Sequence, residues 1–182
     1  MAKVYRNSPF LILGYGWISR ADTKYNADGV FKAPSVGDLS DPAVIAFKEL
    51  IDAEVEAARD RIIEERKLTP AEAKKVKLYH PYAILEDDNG NPTGKIRFDF
   101  KQNQTLKLKD GTEKKVVIGV KDGRNNDVHK PVLSGSEIRV RYSFRDIFMQ
   151  STKEAGTRLD FAMVQVKKLS SGGTPQGGGE EN

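Results

Sequence analysis

Cysteine is absent from the 182-residue chain, which excludes disulfides, thiol nucleophiles and cysteine-ligated metals and fits a reducing compartment. Histidine is nearly absent. His80 and His129 sit in separate loops, so a histidine-based triad or metal centre would have to use one of them alone, and His80, ahead of Pro81, reads as a turn residue. No apolar run approaches the roughly 20 residues a membrane helix needs, and Phe10 to Leu13 is too short for a secretory signal core. Neither Gly-x-x-x-x-Gly-Lys-Ser/Thr nor Gly-x-Gly-x-x-Gly occurs. Ser134-Gly135-Ser136 lacks the context of a nucleophile elbow. There is no repeat of fixed period. Catalysis, a cofactor and a bound metal are therefore not expected. Asp99 stands among basic neighbours, so metal-dependent nuclease chemistry is carried only as a third reading.

Charge is plentiful. Lys and Arg number 30 against 26 Asp and Glu, a net charge of +4. The excess is local: Gly94 to Arg141 holds twelve basic residues and six acidic ones, while Ser170 to Asn182 holds two Glu and no base. A basic excess in one region is the footprint of phosphate binding. An ordinary solvated surface is the other reading.

The pattern is sharpest from Gly135 to Phe148. Ile138, Val140, Tyr142 and Phe144 alternate with Arg139, Arg141, Ser143 and Arg145, and side chains alternate across the faces of a strand. One face is apolar, with Tyr142 read as core. The other carries three guanidinium groups with no acid between them, which points to an anionic partner, and single-stranded nucleic acid is the working hypothesis. Ile96, Phe98 and Phe100 alternate with Lys95, Arg97, Asp99 and Lys101 in the same way.

Phe10 to Leu13 reads as a buried run. Tyr15 and Trp17 follow two apart, flanked by Gly14 and Gly16, and glycine in a strand marks a bend or a close backbone approach. These rings belong either to the core or to an exposed stacking surface. Lys3, Arg6 and Arg20 nearby favour the second. Tyr25 to Ala33 reads as a second strand segment with a turn at Asn26-Ala27-Asp28-Gly29 and with Phe31 and Lys32 on opposite faces, and Pro34 to Asp41 reads as a loop. Asp41 as N-cap and Pro42 at the first helical position open a helix. Val44, Phe47, Ile51, Val55, Ala58 and Ile62 form its apolar stripe, and it ends near Lys67. Thr69-Pro70-Ala71-Glu72 has capping-box spacing and predicts a short second helix to Val76. Lys74, Lys75 and Lys77 cluster there, as surface or as a phosphate contact.

Tyr82 to Glu86 reads as a strand and Asp87 to Pro92 as a turn without the spacing of a calcium loop. Lys109-Asp110-Gly111-Thr112 signals a hairpin, and Val116, Ile118 and Val120 the next apolar face. Asp122 to Lys130 reads as a polar loop. The strand from Leu159 to Val164 reads as buried on both sides. Residues 1–169 form one domain, and Gly-rich 170–182 a flexible, weakly acidic tail. Short strands, one long inserted helix and a basic outer face suggest a mainly β chain built as an OB-fold, a five-stranded Greek-key barrel.

Several blocks, in order, resemble the single-stranded DNA-binding proteins of short-tailed, T7-like (autographivirus) bacteriophages. They are Met1-Ala2-Lys3, Tyr15 to Asp22, Gly29-Val30-Phe31-Lys32, the Asp/Pro-capped helix, Pro81-Tyr82, and Gly135 to Ser143. The likeness spans about Ala2 to Leu169. It implies an OB-fold and sequence-independent binding of single-stranded DNA in phage DNA replication, recombination, repair and strand annealing. It further implies homodimers, a place in the cytoplasm of the infected host, and contacts with the phage DNA polymerase and helicase-primase through an acidic tail ending in an aromatic residue. This chain ends in Glu180-Glu181-Asn182 and departs there. The family also places aromatics just after the basic strand, and Phe148 falls between the aligned Ile147 and Met149.

The expected interface is then Tyr15, Trp17 and Phe148 for stacking on bases, with Lys3, Arg20, Lys32, Arg97, Lys101, Arg139 and Arg141 for phosphates. The rival is a non-enzymatic viral β-barrel interaction module whose basic face docks an acidic protein.

Overall fold

The computed structural model describes residues 3–24 and 28–169, with the side chains of Trp17, Ser19 and Arg20 outside that description. The expected tail, 170–182, and residues 25–27 of the expected strand and turn lie outside the described residues. In chain order the elements are β1 (Arg6–Asn7), β2 (Leu11–Leu13), β3 (Trp17–Asp22), β4 (Val30–Asp38), α1 (Pro42–Glu65) and α2 (Pro70–Ala73). There follow β5 (Lys77–Tyr79), β6 (Tyr82–Glu86), β7 (Pro92–Asn103), β8 (Thr105–Lys107), β9 (Glu113–Lys115), β10 (Gly119–Asp122), β11 (Glu137–Met149) and β12 (Glu154–Lys168).

Five strands close on themselves. β11 pairs with β2, β2 with β4, β4 with β7, β7 with β12, and β12 returns to β11. Closure removes the free sheet edges that would otherwise invite pairing with another chain. β4, β7 and the first half of β11 alternate as the sequence does, while β12 is buried on both sides over much of its length. Phe31, Ala33 and Ser35 of β4, Ile96, Phe98 and Phe100 of β7, and Ile138, Val140 and Tyr142 of β11 are buried. Their neighbours look outward.

Helix α1 lies against β11 and β12. Asp41 accepts a hydrogen bond from the Ala43 N–H at 2.9 Å, satisfying one of the open donors of the first turn. The buried positions are Val44, Phe47, Ile51, Val55, Ala58 and Ile62, the stripe predicted from spacing. Phe47 enters an aromatic cluster, 4.6 Å from Phe98 and 5.4 Å from Tyr142 between ring centroids. Side chains of this size contribute about 1.5–3 kcal/mol each on burial. α1 stops two residues before the predicted end. α2 forms its capping box, with Thr69 and Glu72 bonding each other's backbone, but stops at Ala73 rather than Val76.

One sequence expectation is corrected. Pro34 to Asp38 is not loop but the second half of β4, in antiparallel register with β7 from Pro34 opposite Asp99 to Asp38 opposite Lys95. A proline cannot donate to a ladder. Pro34 escapes the cost because it sits between the β2 and β3 pairings of β4, at a position that neither strand pairs with. Its carbonyl still accepts from the Gly14 N–H at 2.7 Å. Val116, Ile118 and Val120 pack on the core as expected, with Val117 between them exposed, but no single strand runs through them: β9 ends at Lys115 and β10 begins at Gly119. The stretch expected as a polar loop from Asp122 turns tightly, and Asp122 accepts from the Arg124 and Asn126 N–H groups.

Candidate functional site

The outer face of β4 and β7 carries Lys32, Pro34 and Val36 on one strand and Lys101, Asp99 and Arg97 on the other. Register sets Lys32 opposite Lys101, Pro34 opposite Asp99 and Val36 opposite Arg97. Above them the chain between β2 and β3 crosses close to β4. A Cβ at Gly16 would lie 2.8 Å from the Lys32 carbonyl oxygen, so only glycine fits that crossing. The crossing lifts Tyr15 out of the core, 48% exposed. Gly14, Tyr15, Lys32, Pro34, Val36, Arg97, Asp99, Phe100 and Lys101 enclose an open groove of about 370 Å³.

Like charges directly opposite one another weaken a sheet, so the Lys32–Lys101 pair costs the fold stability. Lys32 is relieved by Asp22, whose carboxylate lies 2.9 Å from its Nζ. The hydrogen bond from Lys32, with one from the Lys24 N–H, holds the Asp22 carboxyl below its ordinary pKa. Arg97 folds onto Asp99 of its own strand, Nε to Oδ1 2.8 Å. Lys101 makes no ion pair among the described residues. Burial pushes its pKa down, nearby Arg158, Lys32 and Arg97 push the same way, and Asp99 opposes them. A half-buried ammonium without its own carboxylate, beside an exposed ring, is a receptor for an anionic group joined to a planar one.

The cationic face continues onto β12 and β11. Asp160 stands in register with Lys101 and is 3% exposed. Arg145 and Arg158, themselves directly opposed across β11 and β12, each place Nε 2.9 Å from a different oxygen of that carboxylate. Arg158 Nη2 also donates to Asn103 Oδ1 at 3.1 Å. The alternation Arg158-Leu159-Asp160-Phe161 was available in the sequence. Reading that strand as buried on both sides concealed Arg158.

Arg139 and Arg141 lie at the other half of β11. Neither reaches a carboxylate among the described residues. The Arg139 guanidinium lies 4.4 Å from the Phe10 ring centroid and that of Arg141 lies 5.3 Å from Tyr5. Lys3 is exposed ahead of β1. The backbone of Trp17 pairs with that of Lys32, while the side chains of Trp17 and Arg20 lie outside the described residues. Phe148 is not brought to the groove. Arg66 covers its ring at 4.4 Å, and Leu68, Lys75, Val76 and Lys153 surround it. It shares a strand face with Asp146, which binds Arg61 of α1. Tyr142 is fully buried and its phenol is pushed up to about 12 by burial. His80 lies 3.7 Å from Asp52, which accepts from the Tyr82 hydroxyl at 2.6 Å, and these groups belong to the contact between α1 and β6.

No protein-family model matches the chain, and no curated protein matches it in sequence. Solved structures do match in shape. The structure of gp2.5, a single-stranded DNA binding protein encoded by bacteriophage T7, superposes with a TM-score of 0.76 at 22% identity, covering 94% of this chain and 90% of that one. The single-stranded DNA-binding protein from bacteriophage Enc34, in complex with ssDNA, superposes with a TM-score of 0.60 at 8% identity, covering 92% of this chain and 88% of that one. The fold is the OB-fold barrel expected from the sequence, shared with phage proteins of this kind.

Proposed function

We propose that the chain binds single-stranded DNA without regard to sequence. The observation that carries this reading is the outer groove of β4 and β7, where Tyr15 overhangs the opposed Lys32 and Lys101 with Arg97 alongside. Lysine and arginine neutralise phosphates and release condensed counterions, which drives binding that ignores base identity. Tyr15 offers a flat face to an unstacked base, worth about 1–3 kcal/mol per base. Duplex DNA hides those base faces, so single strands are preferred. No bond is made or broken. The structural likeness to phage single-stranded DNA-binding proteins, one of them solved with ssDNA, supports the same reading.

Within it, the chain acts in phage DNA replication, recombination, repair and strand annealing in the infected host, as a homodimer. Contacts with the phage DNA polymerase and helicase-primase would run through the short tail ending in Glu180-Glu181-Asn182.

A gel shift with single-stranded and duplex DNA at two salt concentrations tests the proposal. The single strand is expected to be retarded preferentially, with a steep loss at higher salt, and oligo-dT to quench the lone Trp17. Retardation of neither substrate would favour the protein-docking module, a flat salt dependence would remove the phosphate mechanism, and cleavage of labelled DNA with magnesium would restore the nuclease.

A further inference from the structure

We propose that the binding face continues from the groove across β2 to the first half of β11, where Phe10 and Tyr5 form a second subsite for the same DNA strand. This extension rests on the single-strand reading of the groove. Register makes the face continuous. Arg97 of β7 is opposite Val36 of β4, Val36 is opposite Ile12 of β2, and Ile12 is opposite Glu137 of β11. These four residues stand on one outer row, and three interstrand gaps of about 4.8 Å put its ends about 14 Å apart. One step along β2 on the same face is Phe10, and one step along β11 is Arg139. Between Arg97 at one end and Glu137 with its neighbour Arg139 at the other the row is apolar, and Ile12 is 45% exposed.

The far end is built for an anion with a ring beside it. Arg139 rests on Phe10, Arg141 on the 42% exposed Tyr5, and Lys167 Nζ lies 5.1 Å from the Phe10 centroid. A guanidinium held over a ring keeps N–H donors for a phosphate, whereas one held by a carboxylate has spent them; at Arg139 these are not the Nε, which is buried. The one acid on the row, Glu137, is faced by Lys167 at 3.5 Å. The competing account is that these pairs only fasten β1 to the barrel. A purely fastening role does not require the tyrosine to stay this exposed, nor two arginines without a carboxylate.

The test is a length series of oligo-dT, from about 4 to about 16 nucleotides, the span of OB-fold site sizes. Binding is read by fluorescence anisotropy for the full chain, for the double substitution Tyr5→Leu with Phe10→Leu, for Arg139→Gln with Arg141→Gln, and for Lys101→Glu. Urea midpoints report whether each variant folds, and the arginine pair, with Arg141 exposed and Arg139 half-buried, keeps the test open if the ring variant does not. The expected result is that the ring and arginine variants bind the shortest oligonucleotides as wild type does but lose about tenfold or more on the longest. The salt slope on long DNA should fall by about one per arginine removed. Unchanged affinity at every length, or an equal loss at every length, would overturn the extension. Lys101→Glu weakens all lengths if the groove reading holds. If it weakens none, that reading fails with it, so the two failures are distinguishable.

Discussion

Two sets of cations face outward from this barrel and are held by opposite means. In and beside the groove, Lys32 is tied to Asp22 and Arg97 to Asp99, while Arg145 and Arg158 share the buried Asp160. On the first half of β11, Arg139 and Arg141 are tied to the rings of Phe10 and Tyr5. A carboxylate fixes a cation firmly but cancels its field and occupies its donors. A ring fixes it less firmly and does neither. The acids therefore fit the part of the face where cations crowd, with Lys32 against Lys101 and Arg145 against Arg158. Crowding without acids would strain the barrel. The rings fit the part where the arginines face no other cation in register, Arg139 standing opposite Gln165 and Arg141 opposite Met163.

The largest effect should come from removing the buried acid. Asp160→Asn leaves Arg145 and Arg158 opposed without a counter-charge, and stability should fall by about 3–5 kcal/mol, read as a lower urea midpoint. An unchanged midpoint would break the claim that the acids hold crowded cations in place. Next comes Tyr15→Ala, expected to cost about 1–3 kcal/mol of oligo-dT affinity with the urea midpoint unmoved, since the ring is exposed. Equal binding of the two proteins would show that the groove works by charge alone.

Asp99→Asn should have a smaller effect of opposite sign. It releases Arg97, and single-strand affinity should rise at low salt by about 1 kcal/mol or less, the gain vanishing at high salt. On the half of β11 with Arg139 and Arg141, neither arginine has a carboxylate to release it from among the described residues. A loss of affinity would mean that Asp99 positions Arg97 rather than competing for it.

The smallest effect is in alkali. Burial lowers the pKa of Lys101 in the free protein, and only the protonated form attracts phosphate. As pH rises, affinity should therefore begin to fall before the ordinary lysine range near about 10.4 is reached. The sign for folding is the reverse: the buried charge disfavours the folded state at neutral pH, and that penalty fades as pH rises toward the unfolded value. Lys101→Arg keeps its charge and should move the loss of affinity to higher pH, checked by anisotropy titrations on oligo-dA. Coincident pH profiles would show that Lys101 does not contact the DNA.

Much of this was legible in the chain. Asp41-Pro42 and the apolar stripe of α1 predicted the helix because capping and 3.6-residue spacing are local. The glycines around Tyr15 signalled a close backbone approach, and the Lys32 carbonyl beneath Gly16 is that approach. The alternation in Arg97, Asp99 and Lys101 placed the groove cations on the outer face. Pro34 misled, because a proline reads as a break until the missing hydrogen bond is seen to fall between two neighbouring strands. Phe10 misled as part of a run that reads as buried, whereas it is half-buried and Ile12 is exposed. Tyr5 carried no signal. Each ring gains meaning only from the arginine lying across it.

The sequence by itself determined which side of each strand is apolar and which is charged, because that follows from a two-residue period along one segment. Only the tertiary structure decided which cation meets a carboxylate, which meets a ring and which is left with neither. One of those pairings joins Arg141 to Tyr5, 136 residues apart along the chain, through the register of β1 against β11. A shift of one residue between strands would reassign the partners that meet across them while leaving the pattern of each strand unchanged.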